Sequence, residues 1–486
     1  MSFTPTEEQV AIIAAARDTS DNLAVIARAG AAKTTTLVMI AEALPAVDIL
    51  CLAFNKKIAE EMTERLPKNC EAKTLHSLGY SAWRQFVRGK SKLMDSKCFG
   101  LLKSRIETLD PEDRTAAYES MSETLDILRT AKSDGYLPEE FTGHWKPLIG
   151  NRDFFDGLPM EPSLLQEQLV NAVLIDSFKL ALEGALDFDD MIYCPALCSV
   201  SWPAPKLTLI DEAQDLSPIN HHILKKIVKS RRIIAVGDPC QAIYGFRGAL
   251  EKSMESLIQM FSMHELKLTI SFRCGSKICE NARWRAPDMR SPDWAVPGEV
   301  KRLITWDASQ IEMGDAIICR NNAPLFSMAI QLIEADLLPE IAGRDLAGPL
   351  TKIMNKLGKP LMPRADAIAS LERWKDKELA RARSGAKGQV HDKALCIQIM
   401  LQKTKTLGDA VAYLAHLLTR DGRIHLMTGH KAKGLEFERV WFLDQHLCDI
   451  KRGQDANVKY VIETRAKDFL AYVTLDSFAA NEVDMA

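Results

Sequence analysis

Residues 23–36 carry the first arrangement with chemical potential. An apolar run, Leu23 to Ala27, leads through Arg28-Ala29-Gly30-Ala31-Ala32-Lys33-Thr34-Thr35 into a helix-like stretch. In such a layout, backbone N–H groups at the helix start face phosphate oxygens. Lys33 then supplies positive charge toward the outer phosphates, and the Thr34 hydroxyl can ligate Mg²⁺. The strict pattern GxxxxGK[ST] is not met, because Ala27 and Ala32 stand at its glycine positions. If position 32 needs a positive φ, alanine there costs on the order of 1 kcal/mol. An ordinary helix start would show the same outline.

A second arrangement follows the apolar run Leu207 to Ile210, where Asp211 and Glu212 stand side by side. Adjacent carboxylates at the end of a buried strand are costly to desolvate unless they meet a cation. Asp211 can join a Mg²⁺ shell, and Glu212 can orient an attacking water or take its proton. A helix-capping acidic cluster is the alternative. After a third apolar run, Ile233 to Val236, comes Gly237-Asp238-Pro239-Cys240-Gln241, with Gln241 placed for its amide to sense a γ-phosphate. Phosphoryl transfer also needs positive charge on the transferring group, for which Arg273 and Arg465 are the candidates.

These residues need elements to hold them. The short apolar runs Leu23 to Ala27, Ile49 to Phe54, Leu207 to Ile210 and Ile233 to Val236 read as buried parallel strands, being continuously apolar. Helical stretches intervene at Thr34 to Leu44 and Lys56 to Leu66. A later set of runs, Lys267 to Ile270, Ala316 to Cys319, Ile424 to Thr428, Val440 to Leu443 and Phe469 to Val473, predicts a second sheet. The fold class is therefore α/β with two parallel sheets. Gln85 to about Glu183 and Arg344 to Arg420 are helix-like, charged and poor in strand runs, and read as helical insertions. Within the second, the mixed charges of Arg364 to Lys387 fit a solvated helix.

Composition narrows the class further. Lys+Arg of 62 against Asp+Glu of 65 gives a net charge of −3, which excludes a polycation that holds nucleic acid by bulk charge. Hydrophobic and charged fractions of 47% and 26% are those of a folded globular chain. No apolar run approaches the ~18 residues of a membrane span, and MSFTPTEEQV has no secretory pattern. The 11 scattered cysteines lack zinc-site spacing and fit reduced thiols in a cytoplasm, with a prokaryotic or phage-infected cell as the expected setting.

Taken together and in order, these blocks resemble the UvrD/Rep-type superfamily 1 DNA helicases over nearly the whole chain. Phe3 to Gln9 resembles the N-terminal glutamine motif, residues 27–36 motif I, and Leu52 to Lys56 motif Ia. Thr74 to Gly79, with His76 and Ser77, resembles a DNA-contacting block, and Asp187 to Met191 the acidic segment before motif II, Asp211 to Asp215. Val236 to Ala249 is nearly motif III, and its aromatic residues Tyr244 and Phe246 suit base stacking, although a core role would also account for them. Phe272-Arg273, Met427 to Phe437 and Asn457 to Lys467 resemble motifs IV, V and VI.

The resemblance implies two RecA-like P-loop domains, each carrying a mainly helical insertion. The first comprises residues 1–84 and 184–265 with insertion 85–183. The second comprises residues 266–343 and 421–486 with the short insertion 344–420. It implies ATP held by Gln9 at adenine, by Ala29, Gly30, Ala31, Ala32, Lys33, Thr34 and Thr35 at the phosphates, by Phe272 on the base and by Glu436 at the ribose. Mg²⁺ would sit on Thr34 and Asp211, and Lys33, Asp211, Glu212, Gln241, Arg273 and Arg465 would be catalytic. Single-stranded DNA would meet Phe54, Asn55, His76, Tyr244, Phe246, Arg247, Thr428 and His430. The implied activity is an ATP-dependent 3′ to 5′ DNA helicase and translocase acting on single strands and on tailed or forked duplexes, in DNA repair or replication. A non-catalytic single-stranded DNA-binding module with a degenerate nucleotide site is the rival reading, motivated by Ala32.

Overall fold

The computed structural model describes residues 4–89, 91–141, 151–229, 231–245, 252–383, 386–451 and 454–479. The chain divides into two units, Met1–Ala27 with Ala32–Leu268, and Arg28–Ala31 with Thr269–Ala486.

In the first unit, six strands form one parallel sheet: β1 (Leu23–Ala27), β2 (Ile49–Ala53), β3 (Cys70–Thr74), β4 (Leu207–Ile210), β5 (Arg232–Gly237) and β6 (His264–Leu268). Their order is β3-β2-β4-β5-β1-β6. The inner strands are continuously apolar because helices cover both faces of a parallel sheet. The edge strands read Cys-Glu-Ala-Lys-Thr and His-Glu-Leu-Lys-Leu, with the charges that protect an open edge. The run predicted at Lys267 to Ile270 for the second sheet is instead β6 of the first, paired with β1 from Leu23↔His264 to Ala27↔Leu268. Only its alternate residues Leu266 and Leu268 are apolar, and Ile270 makes an isolated bridge to Arg290 in the second unit.

The helical segment after β3 has its own core, built around Leu102, Ile106, Leu128, Tyr136, Val170 and Val173. Its longest helix, Pro111–Asp134, starts on an Asp110 cap with proline in the first turn and stops at Gly135 with φ 75°.

The second unit repeats the plan with β7 (Glu299–Arg302), β8 (Ala316–Cys319), β9 (Pro339–Ile341), β10 (Ile424–Thr428), β11 (Phe437–Leu443) and β12 (Ala466–Val473). The order is β9-β10-β8-β11-β12-β7, parallel throughout. Helices Arg344–Leu357, Arg364–Arg381, Lys387–Gln402 and Leu407–Thr419 lie between β9 and β10. They share one core with their sheet: Met354, Leu371, Ile397 and Leu414 belong to the same cluster as Phe326 and Trp441. The charged helix Arg364–Arg381 buries only Ala367 and Leu371.

Candidate active site and nucleic-acid interface

All strands of a parallel sheet end on one edge, and β4, β5 and β1 are neighbours, so the residues that follow them are brought together. Helix Lys33–Glu42 begins after Ala32, whose φ of 55° and ψ of 42° lie in the left-handed region. The glycine-like conformation that the sequence left open is therefore adopted by alanine, at a cost of about 1 kcal/mol. Ala32→Gly is expected to raise unfolding stability by up to about 1 kcal/mol, read as a higher thermal midpoint. A lowered midpoint, the result expected when glycine only loosens the unfolded chain, would show that the loop bears no strain.

Lys33 Nζ lies 2.8 Å from Glu212 Oε1, and Thr34 Oγ1 donates to Asp211 Oδ2 at 2.9 Å. Burial opposes the Lys33 charge, but Glu212, Asp238 and Asp211 outweigh it and hold its pKa above the ordinary value. Asp211 is pushed up to about 6 by burial, with Glu212 adding to the rise and Lys33 opposing it. Glu212 also takes a left-handed backbone, φ 50°, and its N–H donates to Asp211 Oδ1. A hydroxyl and a carboxylate in contact are hard oxygen donors of the kind Mg²⁺ selects.

Gln214, which the sequence reading assigned no role, ties these strand ends together. Its Oε1 accepts from the Asp238 N–H at 3.0 Å, and its Nε2 donates to the Glu212 carboxylate. Glycine at 237 is required for this approach, since a Cβ there would lie 2.7 Å from Gln214 Oε1 and 2.8 Å from Met254 Sδ. Gln241 is buried, and its Nε2 donates to Asp238 Oδ2 at 2.7 Å. Gln9 is also buried: its Oε1 accepts from the Thr6 N–H in a capping box, and its Nε2 donates to Thr36 Oγ1 at 3.0 Å, one turn into the Lys33 helix. Thr35 Oγ1 accepts from Arg65.

Two aromatic pairs lie in the same unit. Phe54 and Tyr244 have ring centroids 6.1 Å apart and planes 5° from parallel. His76 stacks on Phe188 at 4.2 Å and 19°. Phe188 is 58% exposed and was not singled out from the sequence. Burial pushes the His76 imidazole down to about 4, so this ring is neutral at physiological pH. Asn55 caps the helix Lys56–Arg65 by accepting from the Ile58 N–H. Phe246 and Arg247 lie outside the described residues.

In the second unit, Thr464 and Glu436 gather the candidate residues. Arg273 Nε donates to Glu436 Oε2 at 2.9 Å, and its Nη1 reaches the Thr464 carbonyl at 3.4 Å. Burial tends to raise the Glu436 pKa, but Arg273 and Lys467 bring it below the usual carboxylate value. Arg465 is buried, donating from Nε to the Val461 carbonyl and from Nη1 to the Leu435 carbonyl, each at 3.0 Å. Phe272 stacks with the exposed Trp294 at 6.4 Å, and its N–H donates to the Gly30 carbonyl at 2.9 Å. The Tyr460 hydroxyl accepts from the Ala29 N–H at 3.1 Å. Ala31 is buried. Thr428 and His430 sit at the start of helix Gly429–Ala432, where β10 ends.

Glu463 is buried between donors from Tyr472 Oη at 2.7 Å and Trp284 Nε1 at 2.8 Å. Burial pushes its pKa up to about 7. With the folded pKa above the unfolded one, the unfolded chain releases this proton first, so the group's contribution to stability falls as pH rises from about 4.5 to 7. The thermal midpoint of Glu463→Gln, taken relative to wild type at each pH, is expected to climb across that window. A pH-independent difference would contradict it.

The N-terminal domain model of the UvrD/Rep helicases matches residues 6–262, and the chain belongs to that family. Among curated relatives, it is 28% identical over 485 residues to F-box DNA helicase 1 of Gallus gallus, a match covering 93% of this chain and 46% of that protein. It is 26% identical over 258 residues to the ATP-dependent DNA helicase Rep of Escherichia coli, covering 48% and 35%. It is 27% identical over 272 residues to the ATP-dependent DNA helicase srs2 of Schizosaccharomyces pombe, covering 49% and 29%. The chain thus spans less than half the length of these relatives. Since they come from bird, yeast and bacterium, they do not support the expected prokaryotic or phage setting. Among the described residues, no helix is long and apolar enough to cross a membrane.

Proposed function

We propose that this chain is an ATP-driven motor that moves 3′ to 5′ along single-stranded DNA and opens tailed or forked duplexes. The observation that carries the reading is the joining of Lys33 to Glu212 and Thr34 to Asp211 where β1 and β4, the strands on either side of β5, end in the first unit. A site with no phosphate to bind would have little use for a lysine held charged among three carboxylates. Lys33 binds the outer phosphates; once it turns to them, Glu212 is released to orient the attacking water and accept its proton. Thr34 and Asp211 hold Mg²⁺, which when bound neutralises charge on the phosphate oxygens. Gln241 reads the γ-phosphate, and Arg273 and Arg465 stabilise the charge of the transferring group. Gln9 and Phe272 address the adenine, Glu436 the ribose, and Ala29 to Thr35 the phosphates.

Single-stranded DNA stacks on Phe54 with Tyr244 and on Phe188 with His76, and runs on to Asn55, Phe246, Arg247, Thr428 and His430. Stacking accepts any base, which suits a motor that must pass over every sequence. The test is ATP turnover by the purified chain with and without oligonucleotide, together with strand displacement on duplexes bearing a 3′ tail, a 5′ tail or none. ATP-dependent displacement confined to the 3′-tailed substrate is expected. Tight strand binding with no turnover would replace the motor with the non-catalytic binding module.

A further inference from the structure

The helical segment after β3 buries four charges that the proposed reaction does not use. Lys97, Lys132, Asp187 and Asp190 are at most 8% exposed. Lys97 Nζ lies 2.6 Å from Asp190 Oδ2. Lys132 Nζ lies 2.6 Å from Asp187 Oδ2 and 2.8 Å from Asp190 Oδ1. Ser177 closes the cluster: its carbonyl accepts from Lys97 at 2.6 Å and its hydroxyl from Lys132 at 3.2 Å. The two aspartates also bind each other's backbone, Asp187 N–H to Asp190 Oδ2 at 2.9 Å and Asp190 N–H to Asp187 Oδ1 at 2.8 Å.

Stability alone is a poor reason for such a cluster, because apolar side chains of similar volume commonly stabilise as well or better than a buried ion pair. What the cluster does provide is geometry. The lysines come from helices Lys97–Glu107 and Pro111–Asp134, and the residues they grip flank one exposed ring. That ring is Phe188, between the two clamped carboxylates and stacked on His76. A turn fixed at both ends holds its ring at one pitch, so less rotamer freedom is lost when a base stacks on it.

We propose that Lys97 and Lys132 are positioning residues, through which the helical segment sets the orientation of the Phe188–His76 stacking surface for single-stranded DNA. The inference rests on the reading of that pair as a DNA contact.

The test is the paired exchange Lys132→Met with Asp187→Asn in the full chain, which removes one positive and one negative charge and keeps an oxygen for the Asp190 N–H. The oligonucleotide concentration for half-maximal ATP turnover is expected to rise about tenfold, while the KM for ATP does not move. Phe188→Ala should give a similar rise, and adding it to the paired exchange should give no more. A purely structural role predicts instead an unchanged half-saturation in the folded variant, or effects that multiply; either result overturns the proposal. Should the paired exchange fail to fold, Ser177→Ala carries the same comparison with an expected rise of about threefold, and no rise overturns it. If Phe188→Ala alone leaves half-saturation unchanged, the reading of Phe188 as a DNA contact fails, a result separable from failure of the lysines to position it.

Discussion

Lys33→Ala is expected to lower DNA-stimulated ATP turnover on the order of 10³-fold, about 4 kcal/mol of transition-state stabilisation. The loss has two parts. The outer phosphates lose the ammonium that draws charge from them as the bond to the γ-phosphoryl group weakens. The carboxylates lose their cation as well: Asp211, already pushed up to about 6 by burial with Glu212 beside it, rises further once Lys33 no longer opposes that shift. A more protonated Asp211 is a weaker metal ligand, so the variant should need more Mg²⁺ for what turnover remains. Oligonucleotide binding without nucleotide, measured by fluorescence anisotropy, should stay within about twofold of wild type, because the aromatic surfaces do not depend on Lys33. Turnover retained within tenfold would remove the phosphate loop from the mechanism. Loss of strand binding together with turnover would indicate that the substitution had unfolded the first unit.

The residues of this loop were legible in the sequence because each stands next to an apolar strand whose end places it. Asp211 and Glu212 follow β4 directly, Lys33 and Thr34 follow β1 after a five-residue loop, and their unbroken apolar sequences make those strands conspicuous. Gln214 was not legible as a tether, since its partner Asp238 is 24 residues away and only the adjacency of β4 and β5 joins them. Phe188 was hidden inside a segment that reads as acidic. Its neighbours Asp190 and Asp187 are bound by Lys97 and Lys132, 93 and 55 residues upstream of them, and no local pattern carries those contacts. The same physics explains the strands. All four sheet edges, Cys70–Thr74, His264–Leu268, Glu299–Arg302 and Pro339–Ile341, contain Glu or Lys, so an apolar-run criterion finds the centres of both sheets and misses or misplaces their borders. The second helical segment looked separable by composition, yet Met354, Leu371, Ile397 and Leu414 pack into the core of its sheet. Periodicity reports that a helix has an apolar face, but not which partner covers it.

Phe54→Ala and Tyr244→Ala are each expected to weaken single-strand binding by about 1–3 kcal/mol, roughly 5- to 150-fold. The two rings lie within 5° of parallel, and Phe54 is 43% exposed, so a base can reach an apolar face that water otherwise covers. Stacking and phosphate contacts can be told apart by salt. Each phosphate neutralised by a cation adds to the slope of log affinity against log salt, whereas a base on an aromatic face releases no counterion. Both variants should therefore shift the binding curve at every salt concentration and leave its slope unchanged. The double variant should lose less than the product of the single losses, because removing one ring of a facing pair already spoils the surface the other presents. An altered slope with little loss of affinity would mean that this face of the first unit grips the backbone, and a fully multiplicative loss would mean that the rings meet separate bases. In either case the geometry of the pair would need another explanation, because two nearly parallel rings at the end of β2 and beyond β5 are not required by the core, whose apolar contacts are met without Phe54.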